Sequence, residues 1–210
     1  MKSLAKDFTE GSIPRQLFWF MLPFMASNAL QVFYSTIDMM IVGRYVGTAG
    51  LSAVSLSSLI INLATMVCLG ISNAGQVLIS QAIGSGKKEK ISSIIGTLLD
   101  ILLIVSIVFT AIVFLFKDSI LRLMNVPPES YKMASDYMLI CGAGIVFTAG
   151  YNMVSAVLRG MGDSKRPLLF IVIASVVNLV LDILFTGVMG FGVAGAAWAT
   201  IIGQAVSLIF

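Results

Sequence analysis

Histidine is absent from this 210-residue chain, and charge is scarce: 11% of residues are Asp, Glu, Lys or Arg, where a soluble domain carries roughly 25%. Each shortage excludes something. Without imidazole there is no His-based metal site, and any proton carrier must be a carboxyl group. The two cysteines, Cys68 and Cys141, lie singly inside apolar stretches, which fits small buried hydrophobes better than a disulfide or a ligand pair. No Lys/Arg tract is dense enough to suggest nucleic acid. The first apolar stretch is too long for a secretory signal and carries no small-residue cleavage pattern.

Apolar length is what the chain has in abundance. It is 58% hydrophobic with mean hydropathy +1.01, and several runs exceed the ~20 residues a helix needs to cross a bilayer core. The expectation is an all-α membrane protein. A cytoplasmic segment, residues 1–14, precedes six transmembrane helices near 15–42, 51–83, 91–116, 131–158, 168–188 and 193–210. The second and fourth are long enough to tilt or bend. Pro23 falls inside the first, where a lost backbone hydrogen bond predicts a kink, read either as a hinge or as a tolerated irregularity. With the N-terminus inside, nine basic residues (Lys2, Lys6, Arg15, Lys87, Lys88, Lys90, Arg159, Lys165, Arg166) face the cytoplasm and four (Arg44, Lys117, Arg122, Lys132) face out. That asymmetry favours a cytoplasmic N-terminus. Between the third and fourth segments, Lys117 to Ser130 alternates charge with apolar residues and stops at Pro127-Pro128, which predicts a short interfacial helix on the outer surface. The sixth segment reaches Phe210 after only ~27 Å of rise with no loop following, so the sequence reads as a fragment or a half.

Against this background two aspartates stand out, Asp38 in the first segment and Asp182 in the fifth. A carboxylate at membrane depth costs about 3 kcal/mol on insertion scales, and intramembrane carboxylates face a cavity, a partner or an ion path. Asp38 precedes Arg44 by six residues, placing it ~9 Å below the outer end of its helix. Asp182 lies a similar distance before the glycine turn Gly187–Gly192, and Thr200 a similar distance beyond it. Asn178 and Asp182 are spaced i, i+4 and share a helix face, as do Tyr34 and Asp38. Such a set has two natural states: it binds Na⁺ through oxygen ligands, or it holds a proton because neighbouring carboxylates resist joint ionisation. The bland alternative is that each aspartate only bonds a neighbouring helix. Asp100, deep in the third segment, falls at a different level, where a local structural or inner-gate role competes with coupling. Asn28, Gln31, Asn62, Asn73, Gln76 and Asn152 would line a cavity or bond between helices, and the balance favours bonding.

Taken in order, these residues resemble the N-terminal lobe of multidrug and toxic-compound extrusion (MATE) transporters. The matching stretches are Pro23, then Gln31, Tyr34 and Asp38 followed by Val42-Gly43-Arg44. The loop Leu158 to Pro167, the Asn178 and Asp182 pair, and Gly192 with Gly195-Ala196-Ala197 complete the set. The resemblance implies one lobe of a pseudo-twofold, twelve-helix fold enclosing a cavity open alternately to each side. It implies antiport, in which organic and often cationic compounds leave as Na⁺ or H⁺ enters. Its cation site maps onto Asp38, Asn178, Asp182 and Thr200, with Tyr34 and Pro23 in support and Asn28, Gln31 and Asn152 as cavity candidates. The expectation is therefore a transporter rather than an enzyme, with no cofactor beyond the coupling ion. Its partners would be small organic substrates, the lipid bilayer, and a missing C-terminal lobe or a second copy. Two rivals remain: a flippase for a lipid-linked precursor, which calls for cationic residues in the cavity, and a non-transporting membrane subunit.

Overall fold

Long apolar runs with few breakers make long helices, since a backbone in lipid must satisfy its own hydrogen bonds. The computed structural model describes residues 12–209, so most of the expected N-terminal segment 1–14 and Phe210 lie outside the described residues. Seven α-helices follow in order: α1 (Ile13–Tyr45), α2 (Thr48–Gly84), α3 (Glu89–Leu123), α4 (Pro128–Ala143), α5 (Ile145–Gly160), α6 (Lys165–Asp182) and α7 (Gly192–Ile209), with a π-helical turn, Ile183–Val188, extending α6. Five of these helices, α6 taken together with its π extension, are long and apolar enough to span a membrane. The pair α4 and α5, bent by 45°, makes a sixth. The protein is thus an all-α, multi-pass membrane bundle with no strand among the described residues.

Helix α2 is the spine. It packs along α3, α4 and α5, while α6 and α7 pair with each other and α1 rests mainly on α6. Two apolar cores form at opposite ends of α2. One joins Val42, Val54, Val113, Met138 and Ala197, and the other joins Cys68, Ile79, Leu98, Leu102 and Val157. Helix α1 contributes little to either. Phe18, Trp19, Val32, Phe33 and Met40 along it are all exposed.

Three local features depart from the helices read off the sequence. The expected single helix over 131–158 is broken at Gly144, where Ile201 of α7 packs so closely that a Cβ would lie 2.4 Å from Ile201 Cγ1. The Gly142 carbonyl at this bend accepts a hydrogen bond from Thr110 Oγ1 at 2.8 Å, which meets the need for satisfied backbone at membrane depth. The expected interfacial helix over Lys117–Ser130 does not form as a separate element. Helix α3 runs on to Leu123 and places Leu121, fully buried, in the core. The chain turns through Asn125, at φ 51°, before Pro128 opens α4. Alternating charge marked the membrane edge, but nothing in those residues interrupts helical hydrogen bonding until Met124. The end of the fifth predicted segment is π-helical rather than α-helical, with Met189 N donating to Leu184 O at 2.8 Å. Across Pro23, by contrast, α1 continues unbroken, and Ser27 Oγ donates to the Pro23 carbonyl at 2.9 Å.

Close approach of α6 and α7 depends on glycine. A Cβ on Gly203 would sit 2.9 Å from the Ala174 carbonyl oxygen and 3.2 Å from Asn178 Cβ, whereas one on Gly70 would meet nothing within 4 Å. Gly203→Ala is therefore expected to cost about 1–3 kcal/mol through overpacking. Gly70→Ala should be neutral or slightly stabilising by helix propensity. Thermal unfolding in detergent checks the contrast, and equal melting temperatures for the two variants would contradict it.

Candidate functional site

Between the two apolar cores the bundle leaves a cavity of about 400 Å³. Its wall is built from i, i+4 pairs on several helices: Tyr34 and Asp38 on α1, Thr148 and Asn152 on α5, and Thr200 and Gln204 on α7. The spacing keeps each pair on one face, so polar groups converge while the lipid-facing sides stay apolar.

Asp38 is 9% exposed and Asp182 fully buried. The side chains of the two residues are in direct contact across the α1–α6 packing. In neither carboxyl does Oδ1 receive a hydrogen bond, although both atoms are shielded from solvent. Buried oxygens without donors are costly, which makes this pair chemically unfinished. Asn178 stands one turn before Asp182. With its amide oriented by its neighbours, the nitrogen lies 3.3 Å from Asp182 Oδ2 and the oxygen 3.2 Å from Thr200 N. Thr200 Oγ1 donates to the Ala196 carbonyl at 3.0 Å, and Thr200 lines the cavity. The fold therefore brings together Asp38, Asn178, Asp182 and Thr200 from α1, α6 and α7.

The supporting candidates divide. Tyr34 and Gln31 line the cavity and lie against each other. Asn152 also lines it, but its Nδ2 donates to Thr148 O on its own helix at 2.9 Å, not to a neighbour. Asn28 is exposed and outside the cavity wall, and Pro23 lies farther along α1. Of the residues expected to bond between helices, Gln76 does so, accepting from Arg159 Nε at 3.0 Å, while Asn62 lines the cavity. Asp100 is exposed on α3 and takes no part in the wall.

Sequence reasoning passed over Thr148 and Gln204, whose side chains hydrogen-bond directly across α5 and α7, and Tyr151 beside them. The signal was available: Thr148 and Gln204 each stand four residues from a polar residue already singled out. Among the described residues no group of three or more His, Cys, Asp or Glu is arranged to hold a metal ion.

A multi-pass helical bundle whose spans enclose a polar, carboxylate-bearing cavity is the architecture of a membrane transporter. The MatE family model matches residues 23–184, and the chain belongs to that family, whose members are transporters and not enzymes. It is 39% identical over 206 residues to "Probable multidrug resistance protein YpnP" of Bacillus subtilis, covering 98% of this chain and 46% of that protein. An outward-facing multidrug resistance MATE transporter of the MOP superfamily superposes with TM-score 0.88 at 28% identity, covering all of this chain and 46% of the other. An inward-facing structure of such a transporter gives 0.78 at 30% identity, covering 85% and 40%. The chain spans about half the length of the proteins it matches, which corresponds to one lobe.

The cavity makes a direct prediction about access. In a Cys141→Ser background, Ser58→Cys on the cavity wall should react readily with a membrane-impermeant maleimide. Val113→Cys, in the sealed core, should stay unlabelled until the protein is denatured. A Ser58→Cys variant that stays unlabelled until denaturation would mean that the cavity is not open to water.

Proposed function

We propose that this chain forms the N-terminal lobe of a cation-coupled antiporter that exports organic, often cationic, compounds across the cytoplasmic membrane, with its N-terminus inside. Either a second lobe or a second copy of the chain completes the central pathway. The observation that carries this reading is the pair of buried carboxyl groups in contact across two helices, each with an oxygen that no donor reaches. Na⁺ supplies what those oxygens lack, and so does a proton.

Switching a transporter from 1:99 to 99:1 between two states takes about 5.5 kcal/mol of differential binding. A cation or proton held between Asp38 and Asp182 contributes to that difference to the extent that it binds one state more tightly than the other. Cation binding draws α1 against α6. Because α1 is anchored mainly through α6, its movement, with Pro23 as the pivot, narrows the cavity and expels the organic substrate outward. The ion drives this only by preferring the narrowed state.

The flippase reading is disfavoured by the cavity wall, which contains no Lys or Arg among the described residues. The reading as a non-transporting subunit leaves two undonated carboxyl oxygens without a purpose.

Asp38→Asn in the full-length gene product should reduce dye efflux from vesicles to background while the protein stays in the membrane. Its thermal stability should hold or rise, since an uncompensated buried charge is replaced by a neutral amide. Sodium and pH gradients imposed separately distinguish the coupling ion. Efflux that survives the substitution, or a variant that simply unfolds, speaks against a coupling role.

A further inference from the structure

Arg159 ends α5 on the same side of the cavity as the N-terminal end of α1. It is half-buried, and its neighbours come from two other helices. Its Nε donates to Gln76 Oε1 of α2 at 3.0 Å, and its guanidinium lies 5.4 Å from the centre of the Phe24 ring of α1, a cation–π distance. Just beyond it, Gly160 presses on the Gln76 backbone, and its carbonyl accepts from Ser80 Oγ at 3.0 Å. The ion pairs among the described residues, Lys117–Asp118 and Arg166–Asp163, do not include Arg159, so no described carboxylate cancels its charge.

The relation to the cavity follows from helix rise. Phe24 is seven residues before Gln31, and Arg159 seven residues after Asn152, both cavity residues; at 1.5 Å per residue each stands ~10 Å from the wall. Gln76 lies eleven residues past Thr65, the last cavity residue of α2. Three helices thus leave the cavity in the same direction and meet at one guanidinium.

We infer that Arg159 is the ion-selectivity element of this lobe, a fixed positive charge that bars the coupling cation from crossing between the cavity and the cytoplasmic side without drug. The inference rests on the cation-coupled reading above. A neutral side chain of the same shape would close this end of the lobe by packing alone. An uncancelled guanidinium also repels any cation approaching it, the device by which a pore-lining arginine excludes cations and protons. Gln76 and Phe24 hold the group in place without neutralising it, since one is an amide and the other an aromatic face. One unit charge ~10 Å away lowers local cation occupancy by on the order of tenfold at an effective dielectric near 20.

The test uses the full-length gene product in proteoliposomes without drug, reading Na⁺ and H⁺ entry with trapped sodium and pH indicators. Arg159→Gln should raise drug-independent cation entry by about tenfold. Arg159→Lys, which keeps the charge but loses the planar group, should stay near the parent level, and Asp38→Asn added to Arg159→Gln should suppress the leak by removing the site through which the ion passes. Unchanged entry in Arg159→Gln overturns the inference, and so does equal leakage from the Gln and Lys variants, which would make the contact purely a steric clasp. Leakage that Asp38→Asn does not reduce also overturns it, because the ion would then be bypassing the cavity. Asp38→Asn alone is run in parallel: if it retains drug-coupled ion flux, the carboxylate-site reading fails, whatever Arg159 does.

Discussion

The contact between Asp38 and Asp182 is the constraint around which the rest of the bundle is arranged. Carboxyl groups from two helices meet in a place shielded from lipid and nearly closed to water. Such an arrangement is expensive unless something completes it. Asn178 offers one donor to the pair, and Oδ1 of each carboxyl is left without a partner, Asp38 on the cavity wall and Asp182 buried behind it. Because α1 reaches the bundle mainly through α6, whatever changes the attraction between these two side chains also changes the principal attachment of α1.

Irregular backbone gathers near the same site. The α4–α5 bend at Gly144 lets Ile201 of α7 approach, and Ile201 is the immediate neighbour of Thr200 in the sequence. The π-helical turn begins directly after Asp182, and Thr186 within it donates to the Gly192 carbonyl at 3.2 Å to close the turn into α7. π-turns recur at functional positions because they widen a helix by one residue and re-aim what precedes and follows. Each irregularity here has a hydroxyl group that satisfies a freed carbonyl: Thr110 at Gly142, and Thr186 at Gly192. Non-helical backbone at membrane depth is tolerated where protein surrounds it, and these hydroxyls are the local means.

Much of the bundle was legible because hydropathy and helix period act over many residues. Asp38 and Asp182 were conspicuous as charges in apolar runs, Asn178 followed from i, i+4 spacing, and Thr200 from counting rise on both sides of one turn. The α4–α5 bend was not legible: glycine and alanine leave the apolar character of 131–158 intact, and the residue packed against the bend is Ile201, some sixty residues away in sequence. The run of α3 through Lys117–Leu123 was missed because charge marks where lipid ends and not where a helix ends. Thr148 and Gln204 were overlooked because neutral polar residues in membrane helices are common, and only the meeting of α5 with α7 makes a pair of them.

The exposure of α1 has a consequence for the medium in which the protein works. A helix whose large side chains, Trp19, Val32, Phe33 and Met40 among them, are bare within the lobe takes much of its solvation from whatever surrounds the lobe. Whatever packs on that face therefore acts directly on the element that carries Asp38, with little packing inside the lobe to buffer it. What covers this face, acyl chains or a second lobe, becomes an input to the Asp38–Asp182 contact, and a change in it would hold the two aspartates at a different balance.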